Sequence, residues 1–214
     1  MVDFQSRDTR RHDDEDEQSG ESDTDQESDP PTDETDRAHD DNADDDHSHD
    51  HHAHDVDTLG AAVVTVSSSR SLSEDPSGDV IVAGLEDAGH SVVSRDLIGD
   101  GFDGVQGSVN ALAKRDDVDV VVTTGGTGVT PDDVTIEAVK QLFDKELPGF
   151  GELFRLLSHD EIGTKVVGTR ATAGVVNGAV VFCLPGSENA AKLGVEEIIV
   201  EEATHLAGLA GRKE

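Results

Sequence analysis

Residues 118–138, VDVVVTTGGTGVTPDDVTIEA, decide the fold. They begin with an apolar, β-branched run that is typical of a buried strand, and they end in a helical pattern with apolar positions at Ile136 and Val139. Between the two lies a loop with three glycines and two adjacent acids, Asp132 and Asp133. A strand, a glycine-rich turn and a helix in this order predict one unit of an α/β fold, with a ligand site at the carboxyl end of the strand.

The same alternation of strand and helix patterns continues on both sides of this stretch. Strand-like runs occupy residues 61–67, 90–98 and 179–185, and apolar residues recur at helical spacing within 81–88, 105–112, 150–158 and 195–206. We therefore predict an α/β three-layer sandwich with a mostly parallel sheet and helices on both faces. The loops after Ser67, Ile98, Thr124 and Leu184 are expected to share one rim of the sheet, where such folds bind ligands.

Charge is distributed unevenly along the 214 residues. The first 57 residues hold 23 of the 48 acidic residues and four of the 16 basic ones, with few large apolar side chains. Because such a segment cannot bury enough surface to offset the entropy of ordering, residues 1–57 are predicted to be a disordered, acidic, His-rich tail. Its tract HSHDHHAHD, 47–55, either binds a transition metal or is solvated. Residues 58–214 are predicted to be the folded domain.

The formal net charge of −32 argues against a nucleic-acid surface, because nothing neutralises phosphates in bulk. It favours a salt-adapted protein, whose self-repulsion is screened by a salt-rich cytoplasm, over an ordinary acidic domain with an acidic tail. The sequence shows no membrane-spanning stretch and no secretory signal, so a cytoplasmic location is expected. Cys183, in the apolar run VVFCLPG, is predicted to be a buried and inert thiol.

The glycine-rich loop has the composition of an anion-binding site. Gly125, Gly126 and Gly128 allow sharp turns and a close approach of the backbone to a ligand. Their amides, with the N-terminus of the following helix, favour a negative charge. Thr124 and Thr127 add hydroxyl donors. The loop differs from a Walker phosphate loop, since no Lys-Ser/Thr pair follows the glycines.

Acids stand where a phosphate-binding loop would be expected to place a cation. Asp133 either caps the following helix, with Asp132 as the other candidate cap, or lies beside a divalent cation that cancels its repulsion of phosphate. Asp100 follows the second predicted strand and is either a turn residue before Gly101 or a second acid on the same rim. Two acids on one rim favour metal-assisted nucleotidyl transfer, with Asp100 and Asp133 as Mg²⁺ ligands.

Several separate motifs resemble one known family. These motifs are DPSGDVIVAGLEDAGHSVV (75–93), TTGGTG (123–128), TPDDVTIEA (130–138), PGFGELFRLLSHDEIG (148–163), TRATAG (169–174) and VVFCLPGSENA (180–190). In this order they are similar to the MoaB/Mog family of molybdenum cofactor biosynthesis proteins. The resemblance covers nearly all of residues 60–210 and leaves out the acidic tail.

The resemblance implies chemistry on molybdopterin, a dithiolene pterin phosphate. Adenylyltransferase members of the family transfer AMP from Mg-ATP to the terminal phosphate of molybdopterin, which implies ATP and molybdopterin as partners, Mg²⁺ as cofactor, and Asp100 and Asp133 as catalytic, metal-linked residues. It also implies substrate contacts from Arg170, and from Ser187 with Gly186 before it. The full predicted substrate-binding set is Thr124, Gly125, Gly126, Thr127, Gly128, Arg170, Gly186 and Ser187. Family members are trimers or hexamers built from trimers, so a homotrimer or hexamer is expected.

The chain departs from the family pattern in its loop, and more than one function stays open. Asp132 stands where the family usually has an arginine and Ile136 where it has a proline, which bears on ATP binding. The alternatives to an adenylyltransferase are a non-catalytic molybdopterin carrier and a hydrolase of a nucleotide pyrophosphate similar to the CinA-like proteins. Arg155 is predicted to pair at a subunit contact, and Glu137 either supports the site or is solvated. Molybdenum and tungsten are both compatible with the sequence.

Overall fold

Six strands and six α-helices lie along residues 58–211, the part of the chain that the computed structural model describes. The strands are β1 (Gly60–Val66), β2 (Ser91–Ile98), β3 (Val120–Thr124), β4 (Lys145–Glu146), β5 (Thr172–Val176) and β6 (Ala179–Leu184). The helices are α1 (Pro76–Asp87), α2 (Phe102–Leu112), α3 (Thr135–Lys140), α4 (Pro148–Ile162), α5 (Glu188–Gly194) and α6 (Val200–Ala210). Short 3₁₀ segments lie at Leu72–Glu74 and Gly163–Gly168, and a π-helical segment, Val195–Ile199, joins α5 to α6. The predicted tail, residues 1–57, lies outside the described residues.

The strands form one sheet in the order β2-β1-β3-β6-β5-β4. Strands β2, β1, β3 and β6 are parallel to one another, whereas β5 runs antiparallel to both β6 and β4. The prediction of a mostly parallel sheet is therefore confirmed. The carboxyl ends of β1, β3 and β6 meet at the middle of one rim, because these strands are neighbours in the sheet.

Strand β5 has no counterpart in the predicted strands. It forms a hairpin with β6, and the two-residue turn is Asn177-Gly178, with φ angles of 50° and 87°. This pair of positive φ values is the geometry that Asn-Gly favours in tight hairpins. In the sequence, the Asn-Gly pair between two apolar runs indicated this hairpin. The hairpin was not predicted, because the rest of the sequence follows a strand–helix alternation.

Helices cover both faces of the sheet, as predicted. Alternate residues of β1 point to opposite sides, with Ala61 and Val63 in one buried cluster and Ala62 and Val64 in the other. Helices α1, α4, α5 and α6 pack on the first side, and α2 and α3 on the second. Cys183 is fully buried on the second side, and burial raises the pKa of its thiol to about 12, so the thiol is inert as predicted.

Helices α1 and α3 both end before the last apolar residues of their sequence patterns. In α1, Ile81 and Leu85 are buried, but Ala88 follows the helix and is exposed, because Gly89 turns the chain with φ of 86°. Helix α3 ends at Lys140, so Leu142 and Phe143 pack on the core from the segment that follows it.

The close packing of α1 explains why Gly84 lies inside this helix. A Cβ atom at this position would lie 3.1 Å from the side chain of Val195, in the π-helical segment. The glycine therefore lets α1 approach the α5–α6 run closely.

None of the described helices is both long and apolar enough to cross a bilayer.

Candidate functional site

The loops that follow β1, β3 and β6 enclose a cavity of about 550 Å³ on the carboxyl rim of the sheet. Its lining consists of Val66, Ser67, Ser69, Arg70, Gly125, Gly126, Thr127, Gly128, Asp133, Gly168, Thr169, Pro185, Gly186 and Ser187. Six of the eight predicted substrate-binding residues are in this lining, and Thr124 and Arg170 are not. The rim prediction and the glycine-loop prediction thus point to one and the same cavity.

The glycines of the loop allow three strand ends to come together. Gly125 and Gly126 have φ angles of 96° and 63°. A Cβ atom on Gly125 would lie 2.3 Å from the carbonyl oxygen of Val66, and one on Gly186 would lie 3.1 Å from the Cα of Gly125. Any larger residue would push the loops of β1, β3 and β6 apart, so the cavity depends on these glycines.

Some backbone amides of the loop are bonded within the protein, and others are free to donate to an anion. The amide of Gly125 donates to the carbonyl of Leu184 at 3.1 Å, and the amide of Thr135, which begins α3, donates to the carbonyl of Gly126 at 2.9 Å. One amide at the N-terminus of α3 is therefore already bonded, and the predicted contribution of this N-terminus to anion binding stays a prediction. Within residues 58–211, the amides of Gly126 and Thr127 have no hydrogen-bond partner and belong to lining residues. These two amides are among the donors that an anion can use.

Asp133 orders the loop, and it does not cap the helix. Its carboxylate accepts from the amide and the hydroxyl of Thr130, at 2.9 and 2.7 Å. The hydrogen bond from the Thr130 side chain lowers the pKa of Asp133, with smaller contributions from the backbone of Thr130 and Gly128, so the carboxylate is ionised. Helix α3 begins after Val134 without any side-chain cap, so neither Asp132 nor Asp133 has the capping role considered from the sequence.

Asp100 lies two residues after the end of β2 and outside the cavity lining. The amide of Ser67, a lining residue, donates to the carbonyl of Ile98 at 2.9 Å, so the Asp100 segment begins beside the β1 side of the cavity. Asp100 is half-buried and has no hydrogen bond in the described part of the chain. The structure therefore brings Asp100 to the predicted rim, and its metal-binding role stays a prediction.

Thr124 and Arg170 are bonded within the protein. The buried hydroxyl of Thr124 donates to the carbonyl of Pro185 at 2.9 Å and so joins the β3 and β6 ends. Arg170 donates to the main-chain carbonyls of Thr127 and Asp133, both at 3.1 Å, and forms an ion pair with Glu137. Arg170 thus supports the cavity from outside, and Glu137 supports it as well, which was one of its two predicted roles.

Arg70 is a charged lining residue that the sequence analysis did not single out. It follows β1, and its guanidinium donates to the hydroxyl of Ser77 at 2.8 Å and to the carbonyl of Gly186 at 3.0 Å. Arg70 is the only basic side chain in the lining, where Asp133 is the only acidic one. The cation that a lysine would supply in a Walker loop therefore comes from the β1 loop. In the sequence, the position of one arginine after a strand end was the only indication of this role.

A second cavity, of about 440 Å³, shares Thr169, Pro185 and Ser187 with the first. Apolar side chains contribute much of its wall, among them Phe154 and Leu193. Its remaining lining is Ser158, Glu161, Ile162, Glu188, Asn189 and Ala190. The rim therefore offers a polar cavity with amide donors and, next to it, a more apolar one.

The residues present fit Mg²⁺ only as a partner of a phosphate ligand. No group of three or more His, Cys, Asp or Glu side chains in the described range could hold a metal ion alone. Mg²⁺ is usually held by one or two carboxylates together with substrate phosphates and water. Asp133 provides one ionised carboxylate in the lining, and Asp100 is the second candidate.

The fold and the site together define an α/β protein with a candidate ligand cavity at the carboxyl rim of its sheet. Residues 62–205 match the family model described as "Probable molybdopterin binding domain". Molybdenum cofactor biosynthesis protein B of Bacillus subtilis (strain 168) is 44% identical over 151 residues, which are 70% of this chain and 89% of that protein. The namesake of Escherichia coli (strain K12) is 42% identical over 141 residues, 66% of this chain and 83% of its own length.

Solved structures agree with this match. A crystal structure of molybdenum cofactor biosynthesis protein B superposes with a TM-score of 0.71 at 41% identity, over 74% of this chain and 99% of that one. The tungsten cofactor synthesizing protein MoaB from Pyrococcus furiosus superposes with a TM-score of 0.65 at 43% identity, over 72% and 98%. The chain belongs to the MoaB/Mog family of molybdenum and tungsten cofactor biosynthesis proteins.

Proposed function

We propose that this protein binds molybdopterin and transfers AMP from Mg-ATP to its terminal phosphate. The observation that carries the proposal is the lining of the 550 Å³ cavity, where the unpartnered amides of Gly126 and Thr127 and the cation of Arg70 accompany the carboxylate of Asp133. Amides and a guanidinium bind phosphoryl oxygens, and an ionised carboxylate near them suits a metal-bound phosphate.

In the proposed reaction, an oxygen of the molybdopterin phosphate attacks the α-phosphorus of ATP. A new P–O bond forms there, the bond from the α-phosphorus to the bridging oxygen breaks, and pyrophosphate leaves with the electron pair. When bound with ATP, Mg²⁺ would cancel phosphate charge and polarise the phosphoryl group, held by Asp133 and Asp100. The amides of Gly126 and Thr127 would orient the phosphoryl oxygens, and in-line placement of two phosphates is where most of the rate gain would arise.

Two neighbouring cavities suit a reaction between two phosphate-bearing molecules. The polar cavity has the donors for the phosphates, and the neighbouring one has an apolar wall at Phe154 and Leu193 that suits a planar ring system. Ser187 lies in both linings, and its hydroxyl accepts from the amide of Ala190 at 3.4 Å, at the start of the α5–α6 run. Ser187 is therefore placed where the two substrates would meet.

The test is an adenylylation assay with purified protein, molybdopterin and Mg-ATP in molar salt. We expect adenylyl-molybdopterin and pyrophosphate in equal amounts. Molybdopterin that binds but is recovered unchanged identifies the carrier function, and AMP formed from ATP or another nucleotide pyrophosphate without molybdopterin identifies the hydrolase. Either of these two outcomes would contradict the proposal. Parallel assays with molybdate and tungstate, added after adenylylation, would identify the metal that is inserted next.

We also propose that the protein is a homotrimer or hexamer. Several large apolar side chains of α4 and of the 3₁₀ segment after it are exposed, with Leu156 at 68% and Val167 at 87%. Leu153 and Ile162 are exposed on the same elements. A closed oligomer would remove this surface from water.

A further inference from the structure

A buried carboxylate lies behind the cavity wall. Asp75 begins α1, and its side chain is completely buried. It accepts hydrogen bonds from the hydroxyl of Thr65 at 2.6 Å, the hydroxyl of Ser77 at 3.1 Å and the amide of Gly78 at 3.1 Å. Burial alone would raise the pKa of Asp75, but these hydrogen bonds outweigh it and lower the pKa. A helix cap alone does not require so many donors around one ionised group.

Two arginines lie near this carboxylate, each beside a different oxygen. Arg95, on β2, donates to Oδ2 of Asp75 at 3.3 Å and to Asp79 at 2.7 Å. Arg70 lies 3.7 Å from Oδ1 of Asp75, and the hydroxyl of Ser77 connects the two, accepting from Arg70 at 2.8 Å. The network therefore runs without interruption from β2, through the buried Asp75, to the cavity.

Arg70 is held in place by its partners on the protein and keeps donors for a ligand. Of its five N–H groups, two are used, one on Ser77 and one on the carbonyl of Gly186. Its side chain is 33% exposed, and it lies in the cavity lining together with Gly126 and Thr127, whose amides are unpartnered. Three N–H groups thus remain for an anion. A planar guanidinium fixed at two points suits the bidentate recognition of phosphate.

We propose that Arg70 binds the polyphosphate of the substrate nucleotide, and that Asp75 is the positioning residue that holds the Arg70 guanidinium in the cavity through Ser77. The proposal rests on the proposed function insofar as it names a nucleotide polyphosphate. It extends that function, because neither Arg70 nor Asp75 belongs to the site residues predicted from the sequence. Without Asp75, the Arg70 side chain would lose its fixed orientation and pay the entropy of ordering each time an anion binds.

The test measures anion affinity directly, so that it does not depend on catalysis. Inorganic pyrophosphate and ATP would be titrated calorimetrically into the full-length protein and into the variants Arg70→Gln, Ser77→Ala and Asp75→Asn. The double variant Arg70→Gln/Ser77→Ala completes a cycle. Asp79→Asn is the matched control, because Asp79 bonds Arg95 and does not contact Arg70.

We expect Arg70→Gln to weaken pyrophosphate binding about 10- to 100-fold, as is typical for loss of hydrogen bonds to a charged group. Ser77→Ala and Asp75→Asn should weaken it about 5- to 10-fold, and Ser77→Ala should cause no further loss when Arg70→Gln is present. Asp79→Asn should bind like the parent. If Ser77→Ala weakens pyrophosphate binding equally in the parent protein and in the Arg70→Gln variant, the role of Ser77 is merely structural. That result would overturn the positioning inference.

The remaining outcomes also decide between the two proposals. Unchanged pyrophosphate affinity in Arg70→Gln overturns the inference, even if adenylylation occurs. Arg70-dependent pyrophosphate binding without adenylylation leaves the inference standing and contradicts the proposed function. If Asp75→Asn does not fold, because it removes a completely buried carboxylate that pairs with two arginines, the Ser77→Ala cycle carries the test alone.

Discussion

Arg170 and Glu137 form a two-point ion pair that joins the segment before β5 to helix α3. The two residues are 33 positions apart, and each guanidinium nitrogen of the pair meets a different carboxylate oxygen. The same guanidinium also donates to the carbonyls of Thr127 and Asp133, at both ends of the cavity loop. The ion pair therefore fixes the arginine that keeps the loop in shape.

Variants of Arg170 and Glu137 should separate the contribution of the ion pair to stability from the contribution of the loop contacts. Glu137→Gln is expected to cost less than about 1 kcal/mol of unfolding free energy, because both side chains are partly exposed. Arg170→Gln also loses two hydrogen bonds to carbonyls and should cost about 2 kcal/mol or more. Urea denaturation of the two variants measures which of them loses more unfolding free energy. A larger loss in Glu137→Gln than in Arg170→Gln would contradict the proposed support of the loop.

Replacing the rim acids tests the proposed transfer reaction. Asp133→Asn keeps one oxygen that can accept from Thr130, so the loop should persist, but the charge is lost. Adenylyl transfer should fall by about 100-fold or more, the effect expected when a metal ligand or a stabilising charge is removed. Asp100→Asn should act in the same direction and leave folding intact. Initial rates at saturating Mg-ATP are the measurement.

The control for this prediction is Asp132→Asn. Asp132 is exposed, it lies outside the cavity, and it has no hydrogen bond in the described part of the chain. Its replacement should change the rate less than about twofold, as is usual for surface substitutions. Full activity of Asp133→Asn would show that its carboxylate orders the loop and has no part in the chemistry.

The buried His90 should make stability depend on pH. His90 is 8% exposed, neither ring nitrogen has a hydrogen-bond partner among residues 58–211, and burial lowers the pKa of the ring. An unfolded histidine has a pKa of about 6.5, so below this pH the unfolded chain binds more protons than the folded protein, and stability falls as the pH decreases. Melting temperatures from pH 8 to pH 5 would show the decrease.

The variant His90→Leu should remove part of that decrease. Leucine cannot be protonated, so it eliminates the contribution of His90 between pH 6.5 and pH 5 while leaving the contributions of other groups in place. We expect the parent and variant curves to converge or cross toward low pH. Two parallel curves over this range would exclude His90 as a source of the pH dependence.

The exposed apolar surface of α4 should be an assembly surface. Leu156→Asp places a charge in the centre of that surface and should shift the protein from the expected trimer or hexamer toward the monomer. Leu209→Asp, on α6, is a matched control at another exposed leucine. Multi-angle light scattering at micromolar concentration measures the mass. A parent protein that elutes as a single 22.6 kDa chain would contradict the proposed oligomer.

The acidic composition should make stability depend on salt. With a formal charge of −32, self-repulsion extends over about 10 Å at 0.1 M salt and over about 3 Å at 1 M. We expect a clearly higher melting temperature in molar KCl than in 0.1 M KCl. Equal melting temperatures in the two buffers would contradict the prediction of a salt-adapted protein.

The sequence by itself determined the layers of this fold and the place of its site. The strand and helix patterns are periodic over a few residues, so VDVVVTT and the helical pattern at Ile136 and Val139 could be recognised without knowing their neighbours. The glycines at 125, 126 and 128 likewise identified the loop, because their backbone freedom is a property of the residue alone. The family motifs also follow from residue order alone.

Only the tertiary structure decided which side chains form the site. Arg70 and Gly186 are hydrogen-bonded although 116 positions apart, and Arg170 reaches a loop 43 positions earlier at Thr127. Such pairs depend on how strands are ordered in the sheet and on where each side chain points, and neither quantity is encoded in a local pattern. For the same reason the sequence left the role of Asp133 open, because only the folded loop brings its carboxylate to the hydroxyl of Thr130 and away from the start of α3.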